Sequence, residues 1–131
     1  MFINSLGYNI YIFSAYRSYE KQKKIYENAV NKEYVAEEGY SEHQTGYAID
    51  ISLLDIGLTN HLENTDFYNI LINNLHQYGF ILRYPKDKTH ITGYPFEPWH
   101  IRYVGKDIAE RMYNENICLE EYFYLYLPLN F

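Results

Sequence analysis

The stretch Ser41-Glu42-His43-Gln44-Thr45-Gly46-Tyr47-Ala48-Ile49-Asp50-Ile51-Ser52-Leu53 sets how this chain must fold. His43 and Asp50 are seven residues apart, a spacing that would share one face of a continuous helix. Gly46 and the alternation after it argue instead for a turn feeding a strand. On that strand Tyr47, Ile49 and Ile51 face one way and Ala48, Asp50 and Ser52 the other. His43 on the turn can then bend toward Asp50. The small residues Gly46 and Ala48 leave space beside the strand for a metal ion and its ligands.

Fifty residues later the chain answers with Glu97-Pro98-Trp99-His100. Pro98 disfavours a helix interior and pushes Glu97 toward an extended conformation. This is therefore not a helical H-E-x-x-H motif, and residue 96 is Phe rather than His. A straight strand would place Glu97 and His100 on opposite faces. If both serve one site, a turn or bulge around Pro98 must bring them together. Two imidazoles and one carboxylate suit zinc with an open fourth position, and the second carboxylate suits a general base for water. His61, His76 and His90 have no companion carboxylate in such a frame and are read as ordinary surface or core residues.

Outward from these motifs the pattern alternates between strands and helices. Residues 9–14 read as a short strand. Residues 18–34 read as a helix, with Ser18 as cap, Glu20 in the first turn, and Ile25, Tyr26, Ala29 and Val30 on one face. The strand over 46–53 is followed by a helix over 66–78, capped by Thr65, striped by Phe67, Ile70, Leu71, Leu75 and Tyr78, and stopped by Gly79. Residues 80–84 form a strand, 85–90 a polar loop, 99–104 another strand, and Gly105 opens a third helix carrying Ile108, Ala109 and Met112. The order predicts an α+β fold: a mostly antiparallel central sheet with helices packed on one face.

Composition narrows the rest. At 131 residues, with 47% apolar and 21% charged residues, the chain reads as one globular domain over 1–131. A net charge of -6 and no basic run exclude a phosphate-backbone surface, so no nucleic-acid partner is expected. Cys118 is the single cysteine and cannot form an internal disulfide, which leaves the compartment open. No stretch approaches the ~20 apolar residues of a membrane span, and Met1 to Leu6 lack a signal-peptide pattern. The 17 Tyr fit half-buried positions, or a groove lined with rings for a peptide or sugar chain.

Taken together, Ser41-x-His43-x-x-Gly46-x-Ala48-x-Asp50 and Glu97-x-Trp99-His100 resemble the VanY-type zinc D-alanyl-D-alanine carboxypeptidases. Those enzymes share a fold group with lysostaphin-type peptidases and the hedgehog amino-terminal domain. The resemblance extends to Ser14-Ala15-Tyr16-Arg17-Ser18-Tyr19-x-x-Gln22 and to Tyr78-Gly79-Phe80-Ile81-Leu82-Arg83-Tyr84-Pro85, nearly the whole chain. It implies Zn2+ as cofactor held by His43, Asp50 and His100, with Glu97 as catalytic base. Arg17 is implied to stabilise the oxyanion or grip the terminal carboxylate, and Arg17, Gln22, Ser41 and Tyr84 to contact substrate. It also implies a domain lacking part of the family's usual N-terminal region.

The implied activity is removal of the terminal D-alanine from peptidoglycan stem peptides, by a monomer in the cell envelope or outside the cell. The same chemistry on another bond would make it an L,D-carboxypeptidase, a D,D-dipeptidase or a phage-lysin-type endopeptidase. A non-catalytic, zinc-containing wall-binding module is a rival of a different class. Glu97 argues against that rival, because a structural metal site needs no base.

Overall fold

The computed structural model describes residues 7–127; Met1 to Leu6 lie outside them. Four strands are joined by helices in the order β1 (Ile10–Ser14), α1 (Tyr19–Asn28), β2 (Ala48–Leu53), α2 (Asp66–Asn74), β3 (Phe80–Tyr84), α3 (Thr89–Thr92), β4 (Glu97–Tyr103), α4 (Lys106–Glu115) and α5 (Leu119–Tyr126). The sheet order is β1-β2-β4-β3, and all three pairings are antiparallel. The expected α+β class and antiparallel sheet are present.

The period-2 pattern of β2 divides the sheet chemically. Ile49, Ile51 and Leu53 join Ile101 of β4 against Leu62, Phe67, Leu71 and Leu75. Phe67 and Leu62 are wholly buried there, each contributing roughly 1.5–3 kcal/mol by removal from water. The opposite face of β2 carries Ala48, Asp50 and Ser52, all buried. A second cluster gathers Ile81 of β3 with Ala109, Met112 and Leu119, so α4 and α5 close around the β3 side of the sheet.

Several boundaries differ from expectation for local reasons. α1 is capped by Ser18, whose hydroxyl accepts from the Lys21 N–H at 3.1 Å, but it ends at Asn28 rather than near residue 34. Val30, assigned to the apolar face, is fully exposed, and Asn31 caps a separate short turn over Lys32–Tyr34. With no core to bury Val30, two asparagines that favour turns decide the outcome. β2 begins at Ala48 because Gly46, at φ 81°, ends a short helical turn over Glu42–Thr45. β4 begins at Glu97, two residues before the expected start, and the loop after Pro85 contains a short turn and α3. Helix α5 was not foreseen: its N-terminus rests on the Glu121 side chain accepting from the Cys118 N–H, a cap outside the usual Ser, Thr, Asp and Asn set.

α2 tightens into a 3-10 turn over Leu75–Tyr78 and stops at Gly79, as the sequence predicts. Gly79 adopts φ 85°, and a Cβ there would lie 2.7 Å from the Tyr103 ring and 3.2 Å from the Gly105 backbone. Gly79→Ala is expected to cost at least the roughly 1–3 kcal/mol of a left-handed non-glycine residue, read as a lower urea midpoint with an unchanged slope.

Candidate metal centre and active site

Strand register brings the site together. Asp50 on β2 lies directly opposite His100 on β4, and Tyr84 on β3 lies opposite Glu97. Between Leu82↔Ile101 and Tyr84↔Glu97 the ladder advances two residues on β3 and four on β4. This is the irregularity that the Glu97/His100 spacing required. It turns Glu97 back toward His100, whose Nδ1 lies 3.0 Å from Glu97 Oε2. Pro98 is tolerated within the strand because a bulge asks for no ladder hydrogen bond there.

His43 arrives from the turn over Glu42–Thr45, whose cap Ser41 accepts from the His43 N–H at 3.3 Å. The turn is tied to the connection between β1 and α1. The Arg17 N–H donates to the His43 carbonyl at 3.0 Å, and His43 Nδ1 lies 2.8 Å from the Ala15 carbonyl. A carbonyl only accepts, so Nδ1 carries the hydrogen and the Nε2 lone pair points inward. Nε2 lies 3.2 Å from Asp50 Oδ1. His43, Asp50 and His100 each offer a ligand atom within 4.8 Å of the others, and all three residues are buried. Among the described residues theirs is the group able to hold a metal ion; His61, His76 and His90 stand outside it.

The donor set fits zinc: two imidazole nitrogens and one carboxylate oxygen, with Glu97 beside them. Asp50 is prepared for one-oxygen ligation, since its Oδ2 accepts from Arg17 Nη2 at 3.1 Å. Arg17 is itself fixed, donating from Nε to Ser14 Oγ at 2.9 Å and from Nη1 to Gln22 Oε1 at 3.0 Å. Gln22 is 1% exposed, and its amide nitrogen donates to the Ala36 carbonyl at 2.6 Å. It is a buried brace for Arg17, although it also borders the cavity. Tyr84 sets its ring edge-on to His100, 4.9 Å between centroids, and stacks on Tyr94.

Burial shapes the titration of these groups. It pushes the Glu97 carboxyl above its ordinary value, against the hydrogen bond and charge of His100 that pull it down. It raises the Tyr84 phenol, so that ring stays neutral. Burial also lowers the Arg17 value, opposed by the charges of Asp50 and Glu97. A cavity of about 220 Å³ opens over these residues, with Tyr34, Val35, Leu58 and Trp99 as an apolar wall and Ser41, Tyr84 and Tyr94 also at its surface. Every site residue named from the sequence therefore lines one cavity.

Sequence reading assigned no role to Glu42, Arg83, Arg102 or Glu120, which form a second layer. Glu42 Oε1 lies 2.8 Å from His100 Nε2, while its Oε2 accepts from Arg83 and Arg102, each at 2.9 Å. Arg83 also grips Glu120 of α5 with two hydrogen bonds, at 2.7 and 3.0 Å. Glu42 stood inside the quoted motif, but its partners come from two distant strands, β3 and β4, so no local pattern announces them.

Residues 3–106 match the D-alanyl-D-alanine carboxypeptidase family, VanY. The chain belongs to that family. A D-alanyl-D-alanine carboxypeptidase of Enterococcus faecalis (strain ATCC 700802 / V583) is 40% identical over 127 residues, covering 85% of this chain and 46% of that protein. The structure of the LdcB LD-carboxypeptidase superposes with a TM-score of 0.84 at 44% identity, over 93% of this chain and 61% of that one. A mutant of the vancomycin-resistance D,D-pentapeptidase VanY, from a VanB-type cassette and in complex with Zn(II), gives 0.77 at 38% identity, over 91% and 74%. This chain spans less than half the length of the Enterococcus faecalis relative.

The geometry predicts that chelator-stripped protein takes up one equivalent of zinc. His43→Ala should raise the zinc Kd by more than the about 10- to 100-fold typical of losing an outer partner. His90→Ala, outside the cluster, should leave it unchanged. Competition titration with a chromophoric chelator measures both.

Proposed function

We propose that this chain is a zinc D,D-carboxypeptidase domain that removes the terminal D-alanine from peptidoglycan stem peptides. The observation that carries it is Glu97 held beside the His43–Asp50–His100 cluster, in the cavity of a chain belonging to this family. Zinc would be held by His43 Nε2, Asp50 Oδ1 and His100 Nδ1. When bound it supplies a Lewis acid that polarises the scissile carbonyl and acidifies water.

The residues of the chain account for the other requirements. Glu97, with its basicity raised by burial, takes the proton of the attacking water and delivers it to the departing amine. Arg17 has three of its five N–H donors committed to Ser14, Gln22 and Asp50, which leaves two for the developing oxyanion or the substrate's terminal carboxylate. Because those three partners fix the guanidinium beforehand, little entropy is lost when it binds. Gln22 supports Arg17 and borders the substrate with Ser41 and Tyr84, while Tyr34, Val35, Leu58 and Trp99 accept the methyl side chains of a stem peptide.

A second reading changes only the bond. Identity to the LdcB LD-carboxypeptidase, 44%, exceeds the 38% to the VanY D,D-pentapeptidase, and the TM-score follows the same order. That favours an L,D-carboxypeptidase acting on a tetrapeptide stem. In either reading the protein works as a monomer at the cell envelope or outside the cell. Among the described residues no helix is long and apolar enough to cross a membrane.

Digestion of defined tetra- and pentapeptide stems by zinc-loaded protein, followed by mass spectrometry, separates these readings. D-Alanine from the pentapeptide supports the D,D reading, and release from the tetrapeptide alone supports the L,D one. A larger fragment from either points to a dipeptidase or endopeptidase, and no product from a zinc-loaded protein to a binding module. Glu97→Gln is expected to keep its zinc and lose about 100- to 10,000-fold in kcat.

A further inference from the structure

Three features fall outside the mechanism so far: a groove between α2 and α4 lined by His76 and Tyr113, the exposed aromatics of the edge strand β1, and the layer of charge around Glu42. Nothing indicates what would fill the groove or cover the edge. The charge layer converges on a single atom of the proposed centre.

We propose that Glu42 is a positioning residue of the metal centre, which accepts the Nε2–H of His100 so that the Nδ1 lone pair faces the metal. This rests on the reading of His100 as a ligand. An imidazole presents either nitrogen to a metal, and the hydrogen bond made by the other nitrogen decides which. Glu42 Oε1 sits 2.8 Å from Nε2, while Nδ1 faces Glu97 Oε2 at 3.0 Å and Asp50 Oδ1 at 3.8 Å. The ring is thus held between an outer carboxylate and the cluster. His43 is held in the opposite sense, with Nδ1 tied to Ala15 and Nε2 inward.

Glu42 and His43 are neighbours on one short helical turn, so a single segment supplies one ligand and orients the other. The two oxygens of Glu42 divide their work. Oε2 takes both arginines, and Oε1 is left to His100. Arg83 is anchored in turn by the two-point grip of Glu120, so α5 bears on the metal centre although it lies beyond residues 3–106, the span matching the family. The chain Glu120–Arg83–Glu42–His100 joins α5, β3, the Glu42–Thr45 turn and β4.

If Glu42 served only to balance Arg83 and Arg102, removing its charge would matter as much as removing its side chain. If it positions His100, an uncharged acceptor suffices. Zinc affinity by chelator competition should therefore fall about 10- to 100-fold in Glu42→Ala and largely recover in Glu42→Gln. Glu120→Gln should produce a smaller loss in the same direction. Long-range proton–nitrogen spectra of the zinc-loaded wild type, which need no variant, should show His100 bound through Nδ1 with hydrogen on Nε2. Unchanged affinity in Glu42→Ala, a Gln variant as weak as the Ala one, or zinc on Nε2 of His100 would each overturn the proposal. A wild type that binds no zinc would instead overturn the reading beneath it.

Discussion

Everything about this site depends on the point between Leu82 and Tyr84 where β4 advances four residues against two on β3. At one end of that offset Glu97 meets Tyr84 on β3, and within it His100 meets Asp50 on β2. In an uninterrupted ladder the odd spacing would send one of the two side chains into the apolar core. The bulge lets one strand present base and ligand together. It also gives Pro98 a place in a strand that could not otherwise hold it.

The sheet then supports two incompatible environments a few ångströms apart. One side of β2 and β4 is hydrocarbon, closed by Phe67, Leu62 and Leu71. The other buries His43, Asp50, Glu97 and His100, each less than a tenth exposed. Burying so many titratable groups is costly unless each is paired. The structure meets that demand with three arginines: Arg17 on Asp50, and Arg83 and Arg102 on Glu42. Burial alone would raise the Glu42 carboxyl, yet His100 and Arg83 hold it at about 2. The carboxylates around His100 overcome its burial and raise it to about 9.

What the sequence disclosed follows from the range of each interaction. Alternation over Tyr47–Ser52 is local, so the polar face bearing Asp50 was legible, and the need for a bulge followed from two facts, an odd offset and a proline. Gly79 as the stop of α2 was legible because a left-handed end favours glycine. The length of α1 was not, since helical periodicity through Val30 carries no information on whether a core exists to receive it. α5 was missed because its N-terminal cap is a cysteine aided by a glutamate two places beyond Leu119. The Glu42 network was invisible for a different reason: its pairs join residues 37 to 60 positions apart, and a charged residue that will be buried looks, in sequence, like one on the surface.

The proposed chemistry rests on which groups would meet a metal in this cavity. X-ray absorption at the zinc edge, on protein loaded with one equivalent and repeated on His100→Ala, addresses it directly. The expected result is a nitrogen and oxygen shell with the multiple-scattering signature of two imidazoles, falling to one in the variant. A sulfur neighbour, a third imidazole, or a wild-type spectrum that the variant leaves unchanged would contradict it.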